Sequence, residues 1–284
     1  MIYALISLYN PTEKNIENIY SISQQVDKIF LCDNSSKNNN YLSNKIQNSK
    51  YIFFNENKGL SKAFNFILKD KNNFFLDEDF IIFFDQDSKI TDNFITKLIY
   101  QYNKVKTYKN IGCIGPVYYN QSNNTVETPR KKIKITESCY SVTNIITSSM
   151  LSKYGDLKEI GFWNEDMFLD LADWDICLRF LKVGKICCLT DAVSLTHRLG
   201  LGEKKIFFLK LRVGSPFREY YQTRDCLYLL KKNYLPIKIR IRCLEIVTIR
   251  AILHLLFLDN FTERFFYIRK GYVDFIKNKH GALN

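Results

Sequence analysis

The sequence lacks the short motifs that usually reveal a cofactor site. Its eleven glycines form neither a GxGxxG nor a GxxxxGK arrangement, so neither a Rossmann dinucleotide site nor a P-loop is supported. Its eight cysteines form no CxxC pair and no metal-ligand spacing. Several of them lie in apolar runs, which is typical of reduced core residues in a cytoplasmic protein. Only three histidines are present.

Long apolar runs are also scarce. The nearest approach to a membrane span is 246–258, which has 13 residues and includes Arg250 and His254. An amphipathic helix, on a surface or against the main domain, fits this segment better. The chain enters a strand directly at Ile2 without a basic leader, and we therefore expect a cytoplasmic protein.

The basic residues are unevenly distributed. The 284 residues are 46% hydrophobic and 25% charged, as in an ordinary soluble enzyme, and the net charge is +12. Residues 1–196 contain 23 basic and 22 acidic residues, whereas 197–284 contain 18 basic and 7 acidic ones. A basic surface of this kind indicates a polyanionic partner, which is nucleic acid, anionic lipid head groups or a diphosphate.

The first 120 residues alternate strand and helix patterns, which predicts an α/β fold with a mostly parallel sheet and crossover helices. The expected strands are 2–8, 28–32, 51–54, 80–84 and 111–117, and the expected helices are 12–25, 59–68 and 91–104.

Beyond residue 120 the pattern changes twice. A loop is predicted at 120–129, strand material at 133–150, a helix at 170–183 and one or two strands at 185–196. After that only helices are expected, at about 216–232, 236–257 and 261–277. We therefore predict an α/β domain at 1–203 and a basic, amphipathic helical extension at 204–284.

Two carboxylates one residue apart, Asp85 and Asp87, follow the apolar run 80–84. Open α/β sheets bind ligands at the carboxyl ends of their strands, where these side chains are expected. Hard oxygen ligands of this kind suit Mg²⁺ or Mn²⁺, which proteins typically share with substrate phosphates. The alternative is a polar turn that caps a helix starting near Thr91.

Polar loops follow four of the predicted strands, at 9–11, 33–35, 56–59 and 85–87. In a doubly wound sheet these strand ends line one crevice, in which a nucleotide can lie. Asp33 is placed to accept a hydrogen bond from a base or ribose, although its surroundings are also ordinary turn chemistry.

Three further carboxylates lie close together, at Asp170, Asp173 and Asp175. Acidic residues at a helix start stabilise the helix dipole, and this accounts for one or two of the three. Asp175 and Arg179 are spaced as i,i+4 partners, so we interpret Asp175 as structural. Asp170 and Asp173 lie one helical turn apart, and one of them can serve as a general base.

Two later features carry further candidates. His197 ends the last predicted strand and is either a structural histidine or an additional ligand of a cation. Arg218, Tyr221 and Arg224 have helical spacing, which suits two guanidiniums gripping a diphosphate or, alternatively, a solvated basic face.

In combination these motifs resemble the inverting family 2 glycosyltransferases, and within them bacterial rhamnosyltransferases of cell-surface polysaccharide synthesis. Ser149 and Arg198 depart from the pattern, because relatives commonly have Gly and Ser there. The matching motifs occur in order at 9–11, 33–36, 57–65, 84–88, 146–149, 168–179, 197–200 and 218–224.

The resemblance implies a GT-A-type fold, a Rossmann-like sheet sandwiched by helices, and a role for each matching residue. Asp173 takes the position of the catalytic base. Asp87, assisted by Asp85 and with His197 nearby, takes that of the metal site. Nucleotide and donor binding falls to Tyr9, Asn10, Asp33, Asn57, Gly59, Lys62, Asn65, Asp85 and Gln86, and acceptor or diphosphate binding to Ser148, Asp170, Arg218, Tyr221 and Arg224.

The resemblance also implies a reaction and its partners. The expected donor is a nucleotide sugar, with dTDP-rhamnose favoured over a UDP- or GDP-hexose. The expected acceptor is an undecaprenyl-diphosphate-linked glycan of O-antigen, capsule or cell-wall synthesis. We therefore expect an Mg²⁺- or Mn²⁺-dependent enzyme at the anionic inner face of the cell membrane.

Two readings of another class compete with this one. A nucleic-acid-binding protein would use the basic last third, but no HTH, RRM or KH signature is present, and acidic residues occupy the expected crevice. A nucleotidyltransferase also uses paired carboxylates on an α/β sheet, but the segment 170–179 and His197 do not support it.

Overall fold

The structure, a computed structural model, describes residues 1–120, 125–127, 132–197, 203–206 and 209–283. The chain forms two compact units. The first, which we call the sheet unit, comprises Met1–Asn164 and Asp173–His197, and the second, the helical unit, comprises Glu165–Ala172 and Arg198–Asn284. The acidic segment 168–175 is therefore divided between the two units.

The sheet unit begins with the predicted alternation of strands and helices. Its strands are β1 (Ile2–Leu8), β2 (Lys28–Asp33), β3 (Ser49–Phe53), β4 (Phe80–Asp85), β5 (Ile111–Asn120), β6 (Thr125–Glu127), β7 (Ile133–Lys134), β8 (Cys139–Val142), β9 (Met150–Lys153) and β10 (Ile186–His197). Its helices are α1 (Glu13–Ser23), α2 (Tyr41–Lys45), α3 (Gly59–Leu68), α4 (Phe94–Lys106), α5 (Tyr154–Glu159) and α6 (Ala172–Lys182).

The strands form one sheet in the order β3-β2-β1-β4-β9-β5-β10-β8-β7, with β6 paired to β5. Strands β1 to β4 are mutually parallel where they pair, and β10 is parallel to β5. β9 runs antiparallel between β4 and β5, so the sheet is mixed. The strand order reverses between β1 and β4, which is the position where open α/β sheets form a ligand crevice.

Continuous apolar runs explain why the central strands are buried on both faces. In β4, Ile81, Ile82, Phe83 and Phe84 are each completely buried. Strands covered on both sides have this composition, because neither face meets water. The polar residues are consequently concentrated where the strands end.

The helical unit contains α7 (Arg218–Leu230), α8 (Ile237–Glu245), a π-helical segment (Ile246–Arg250), α9 (Ala251–Phe257) and α10 (Phe261–Ile276). The expected helices are therefore present. A short antiparallel pair, β11 (Glu203–Ile206) and β12 (Leu209–Arg212), precedes them, so the expectation of helices alone was wrong. No helix among the described residues is both long and apolar enough to cross a membrane.

One glycine sets the spacing between α7 and α10. A Cβ atom at Gly271 would lie 2.9 Å from the backbone oxygen of Tyr220 and 2.9 Å from the Cβ of Thr223. Real Cβ atoms do not approach backbone this closely, so the two helices pack at a distance that only glycine permits.

Candidate active site

The loops after β1, β2 and β4 are joined by hydrogen bonds. The backbone N–H of Tyr9 donates to Oε1 of Gln86 at 2.8 Å, and Nε2 of Gln86 donates to the carbonyl of Tyr9 at 3.1 Å. The N–H of Asn10 donates to Oγ of Ser35 at 2.7 Å. These bonds fix the loops on both sides of the point where the strand order reverses.

The loop after β3 joins the same edge. The N–H of Lys58 donates to Oδ1 of Asn34 at 3.0 Å. Asn57 caps the turn by accepting the N–H of Gly59, which has a φ of +75° and opens α3. The prediction that all four polar loops lie at one edge of the sheet is therefore confirmed.

Asp33 is completely buried at the end of β2. Its Oδ1 accepts the N–H of Ser35 at 2.9 Å, and its Oδ2 accepts Nδ2 of Asn39 at 2.9 Å and the hydroxyl of Tyr51 at 2.6 Å. The pKa of Tyr51 is raised mainly by burial and, to a lesser extent, by its hydrogen bond to Asp33. The phenol therefore stays protonated and can donate that hydrogen bond. Both carboxylate oxygens of Asp33 therefore already have hydrogen-bond partners within the protein.

Asp85 and Asp87 lie beside the Tyr9 loop. Asp85 is half-buried at the end of β4, and Asp87 is exposed. A tight turn, closed by the N–H of Ser88 bonding to the carbonyl of Asp85 at 3.1 Å, holds them. The alternative of a helix cap was wrong, because α4 begins at Phe94 and follows Asn93 in a left-handed conformation. The two carboxylates at this edge provide oxygen ligands, which suit a hard divalent cation.

Ser148 contacts that turn through a hydrogen bond to Ser88. Its hydroxyl lies 2.6 Å from the hydroxyl of Ser88, and both residues are buried. Its neighbour Ser149 has a φ of +67°, a region that glycine adopts at no steric cost. A glycine, which the resemblance described above implies at this position, would adopt this conformation without strain.

Three predicted donor-binding residues, Gly59, Lys62 and Asn65, lie on α3. Lys62 is half-buried, and its role in donor binding stays a prediction. Asn65 is buried and forms a pair of hydrogen bonds with the backbone of Trp163, one donated to its carbonyl at 2.8 Å and one accepted from its N–H at 3.0 Å. Asn65 therefore ties α3 to the segment before α6.

The acidic cluster separates into three environments. Asp173 is half-buried in the first turn of α6, and its Oδ1 accepts the N–H of Trp174 at 2.8 Å. Asp175 is completely buried and bonds to Nε of Arg179 at 2.7 Å and to Nδ2 of Asn164 at 2.9 Å, which confirms its structural role. Asp170 lies outside the helix.

The expectation that Asp170 and Asp173 stand one helical turn apart was wrong. α6 begins at Ala172, and Leu171 has a φ of +67°, which breaks the helical path between them. Asp170 belongs to the helical unit, where it accepts a charged pair of bonds from the guanidinium of Arg218.

Arg224 departs from its predicted role. It is completely buried in the helical unit and donates to Asp225 at 2.9 Å, to the hydroxyl of Tyr220 at 3.0 Å and to the carbonyl of Gly281 at 2.8 Å. A guanidinium in this position holds its own unit together and does not present itself to a diphosphate. Arg218 is 40% exposed despite its pairing with Asp170.

Tyr221 is also part of the interior of the helical unit. Its ring stacks on that of Phe168 at 4.8 Å, and its hydroxyl accepts the N–H of Leu283 at 2.9 Å. The N–H of Phe168 in turn donates to Asp225 at 3.2 Å. These contacts fasten the segment 165–172 to α7 and place Asp170 beside Arg218.

The last predicted ligand cannot be placed by its side chain. The backbone of His197 ends β10, but its side chain lies outside the described residues, as does the remainder of the motif at 198–200. Its role as a ligand stays a prediction.

Sequence spacing missed a cluster of three thiols. Cys113 on β5, Cys177 on α6 and Cys187 on β10 are completely buried, and their sulfur atoms lie within 4.8 Å of one another. Burial raises the pKa of Cys113 well above its ordinary value, so this thiol stays protonated. The signal was hidden because Cys113 lies far before Cys177 and Cys187 in the sequence and meets Cys187 through the pairing of β5 with β10.

Known proteins resemble this chain along most of its length. A sequence model described as Glycosyl transferase family 2 matches residues 3–161. The dTDP-rhamnosyl transferase RfbF of Shigella flexneri is 32% identical over 260 residues, which cover 85% of this chain and 83% of that protein.

Solved structures share its architecture. S. aureus TarS 1–349 in complex with UDP-GlcNAc superposes with a TM-score of 0.58 at 15% identity, covering 97% of this chain and 80% of that one. GalNAc-T7 with UDP, GalNAc and Mn²⁺ gives 0.56 at 13% identity, and this chain, matched over 85% of its length, spans about half, 54%, of that protein. At these identities the likeness concerns the fold, and the expected GT-A-type α/β fold is confirmed.

Proposed function

The chain belongs to glycosyl transferase family 2, and from this premise we propose that it is an inverting rhamnosyltransferase. Its donor is dTDP-rhamnose and its acceptor an undecaprenyl-diphosphate-linked glycan of O-antigen, capsule or cell-wall synthesis. The identity of 32% to a dTDP-rhamnosyl transferase supports the choice of donor.

One observation carries the proposal. The loops after β1 to β4 are hydrogen-bonded into a single edge, and Asp85 and Asp87 stand beside the reversal of strand order. A nucleotide lies at such an edge in doubly wound sheets. The side-chain amide of Gln86 bonds both backbone groups of Tyr9, which links the loops after β1 and β4.

The proposed reaction is a single in-line displacement. An acceptor hydroxyl oxygen attacks the anomeric carbon, and the bond from that carbon to the diphosphate oxygen breaks with its electron pair leaving on the diphosphate. A carboxylate of Asp173 receives the hydroxyl proton, a role that requires reach to the acceptor. Asp173 is half-buried, unlike the fully buried Asp175, and this difference supports the assignment of Asp173 as the base.

Asp85 and Asp87 are the residues that would hold a divalent cation, Mg²⁺ or Mn²⁺, with His197 as a further candidate. Such a cation would offset the charge that develops on the departing diphosphate. The chemistry of Asp85 and Asp87 supports this proposal, since both side chains are carboxylates and neither is completely buried.

The proposed role of the helical unit is to bind the membrane that carries the acceptor. Residues 197–284 carry a net charge of +11, and anionic head groups attract each nearby Lys or Arg by about 1 kcal/mol. We propose that residues 204–279 bring the enzyme to the inner face of the cell membrane.

The decisive experiment is a panel of nucleotide sugars, tested by thermal stabilisation of the protein with Mn²⁺, with Mg²⁺ and with a chelator. A donor present at about 100 times its dissociation constant stabilises the folded state by about 2.7 kcal/mol. We expect dTDP-rhamnose to raise the unfolding temperature only when a cation is present. In Asp87→Asn, adding the cation should no longer produce this rise.

The panel also contains the contradicting outcomes. If only UDP- or GDP-hexoses stabilised the protein, the donor would not be dTDP-rhamnose. Saturable DNA binding with a steep salt dependence, without an effect of any nucleotide sugar, would replace the enzyme by a nucleic-acid-binding protein.

A further inference from the structure

A stripe of large apolar side chains runs along one side of α8, the π-helical segment and α9. We call it the apolar stripe. Each of its members is at least half exposed, between 50% and 68%. They are Ile237, Ile241, Leu244, Ile249, Ile252 and Leu256.

The π-helical segment keeps this stripe on one side. Members of the stripe in α8 and α9 are three or four residues apart, as an α-helical face requires. Leu244 and Ile249 are five apart, which in an α-helix would rotate the second by about 140°. The turn between them is a π-helical one, whose hydrogen bonds join residues five apart, and this wider turn restores the alignment.

The opposite side of the same helices packs inside the unit. Cys243, Ile246, Val247, Ala251 and His254 are all buried there. His254 is held by Glu219 at 2.7 Å, and Glu219 also binds Arg264 at 2.8 Å. The apolar stripe is therefore an outward face of a fixed helix, since the inward face already has its partners.

The charge around the stripe indicates what covers it. Lys238 and Arg242 are exposed on α8, and Arg269 is exposed on α10. The carboxylates of Glu219, Asp225 and Asp274 are buried beside their own cations. Glu245, which pairs with Arg242, and the exposed Asp259 and Glu263 contribute negative charge. Basic residues still outnumber them among the described residues, because Lys231, Lys277 and Lys279 are also exposed. Exposed aromatic rings follow at Phe261, Phe265 and Phe266. Helices that lie in a membrane interface commonly carry Phe on their apolar face.

We propose that the apolar stripe inserts into the interfacial layer of an anionic bilayer, with α8 and α9 lying along its surface. The proposal rests on the membrane association in the proposed function and adds its mode, which is apolar insertion rather than charge attraction alone. A helix with an apolar outer face and basic neighbours lies in the plane of the interface, with the apolar side chains among the acyl chains.

The test uses the full chain and vesicles of phosphatidylcholine and phosphatidylglycerol in equal parts. We expect the triple variant Ile241→Ser/Ile249→Ser/Ile252→Ser to lose affinity by about tenfold or more. A control variant, Phe74→Ser/Leu76→Ser/Ile133→Ser, removes apolar side chains of the sheet unit that are even more exposed, at 69–86%, and should bind like the unaltered protein.

A second measurement does not depend on the folding of the triple variant. In Ile252→Trp, the new indole should be quenched by brominated acyl chains. An unquenched indole, or unchanged vesicle affinity of a folded triple variant, would overturn the proposal.

Two controls separate this inference from its alternatives. If the stripe instead joined two copies of the chain, sedimentation without lipid would show a dimer that the triple variant converts to a monomer, and the indole would stay unquenched. Donor stabilisation, measured without vesicles, tests the enzymatic proposal alone. Its failure together with intact vesicle binding would reject the transferase and leave the insertion standing.

Discussion

The candidate-site carboxylates of the sheet unit contrast with the buried carboxylates of the helical unit, although the sheet unit also buries Asp175 against Arg179. In the sheet unit, Asp85, Asp87 and Asp173 stand at the edge of the sheet or the start of a helix, half-buried or exposed. In the helical unit, Asp225 and Glu219 are buried against guanidinium groups. The difference shows that charge alone does not identify a reactive site, because a carboxylate enclosed by its own cations holds helices together.

The largest expected effect lies in the sheet unit. Asp173→Asn keeps the shape of the side chain but removes the proton acceptor, so we expect kcat to fall by about 10²–10⁴-fold. Thermal stabilisation by dTDP-rhamnose should survive. Asp191→Asn, which changes an exposed carboxylate on β10, serves as the control and should keep full turnover. Near-normal turnover by Asp173→Asn would remove the proposed base.

The next effect lies in the helical unit. Arg224→Met leaves the Asp225 carboxylate buried without its cation, and at pH 8 this should lower the free energy of unfolding by about 3–5 kcal/mol. Arg218→Met breaks a pair whose guanidinium is 40% exposed, and there the loss should be about 0–1 kcal/mol. Urea denaturation of both variants measures the contrast. Equal losses would show that burial does not distinguish the two pairs.

The smallest effect is a dependence on pH. Burial raises the pKa of Asp225 to about 7, although Arg224 opposes the shift. Between about pH 4 and pH 7 the folded state therefore keeps a proton that the unfolded state has released, so stability is lost as the pH rises through 7. From pH 6 to pH 8 we expect a loss of about 1 kcal/mol, or about 2–4 °C in unfolding temperature.

Asp225→Asn should flatten this dependence, because the amide does not titrate. Calorimetry at pH 6 and pH 8 compares the two proteins. An unchanged slope in the variant would assign the pH dependence to other groups.

Much of the sheet unit could be predicted from the sequence because its information is local. The strand of residues 2–8 and the helix of 59–68 have the predicted limits, since apolar runs and the glycine at 59 mark them directly. The four polar loops met as expected because the carboxyl ends of parallel strands share one edge. β9 was harder, because its place between β4 and β5 depends on pairing that its own four residues do not encode.

The errors came from contacts that are distant in sequence. Arg224 has the spacing of a surface residue on a helix, yet it is completely buried and donates to the carbonyl of Gly281, 57 residues later in the chain. The late start of α6 depends on the positive φ of Leu171, a conformation that its residue type does not suggest. Neither fact is visible until the segment 165–172 is seen packed on α7.

The eight cysteines can report on local opening of the folded protein. All of them are buried, six in the sheet unit and two, Cys226 and Cys243, in the helical unit. A buried thiol reacts with an alkylating reagent only after local opening. The order in which the cysteines become labelled therefore records which unit loosens first, without any engineered probe.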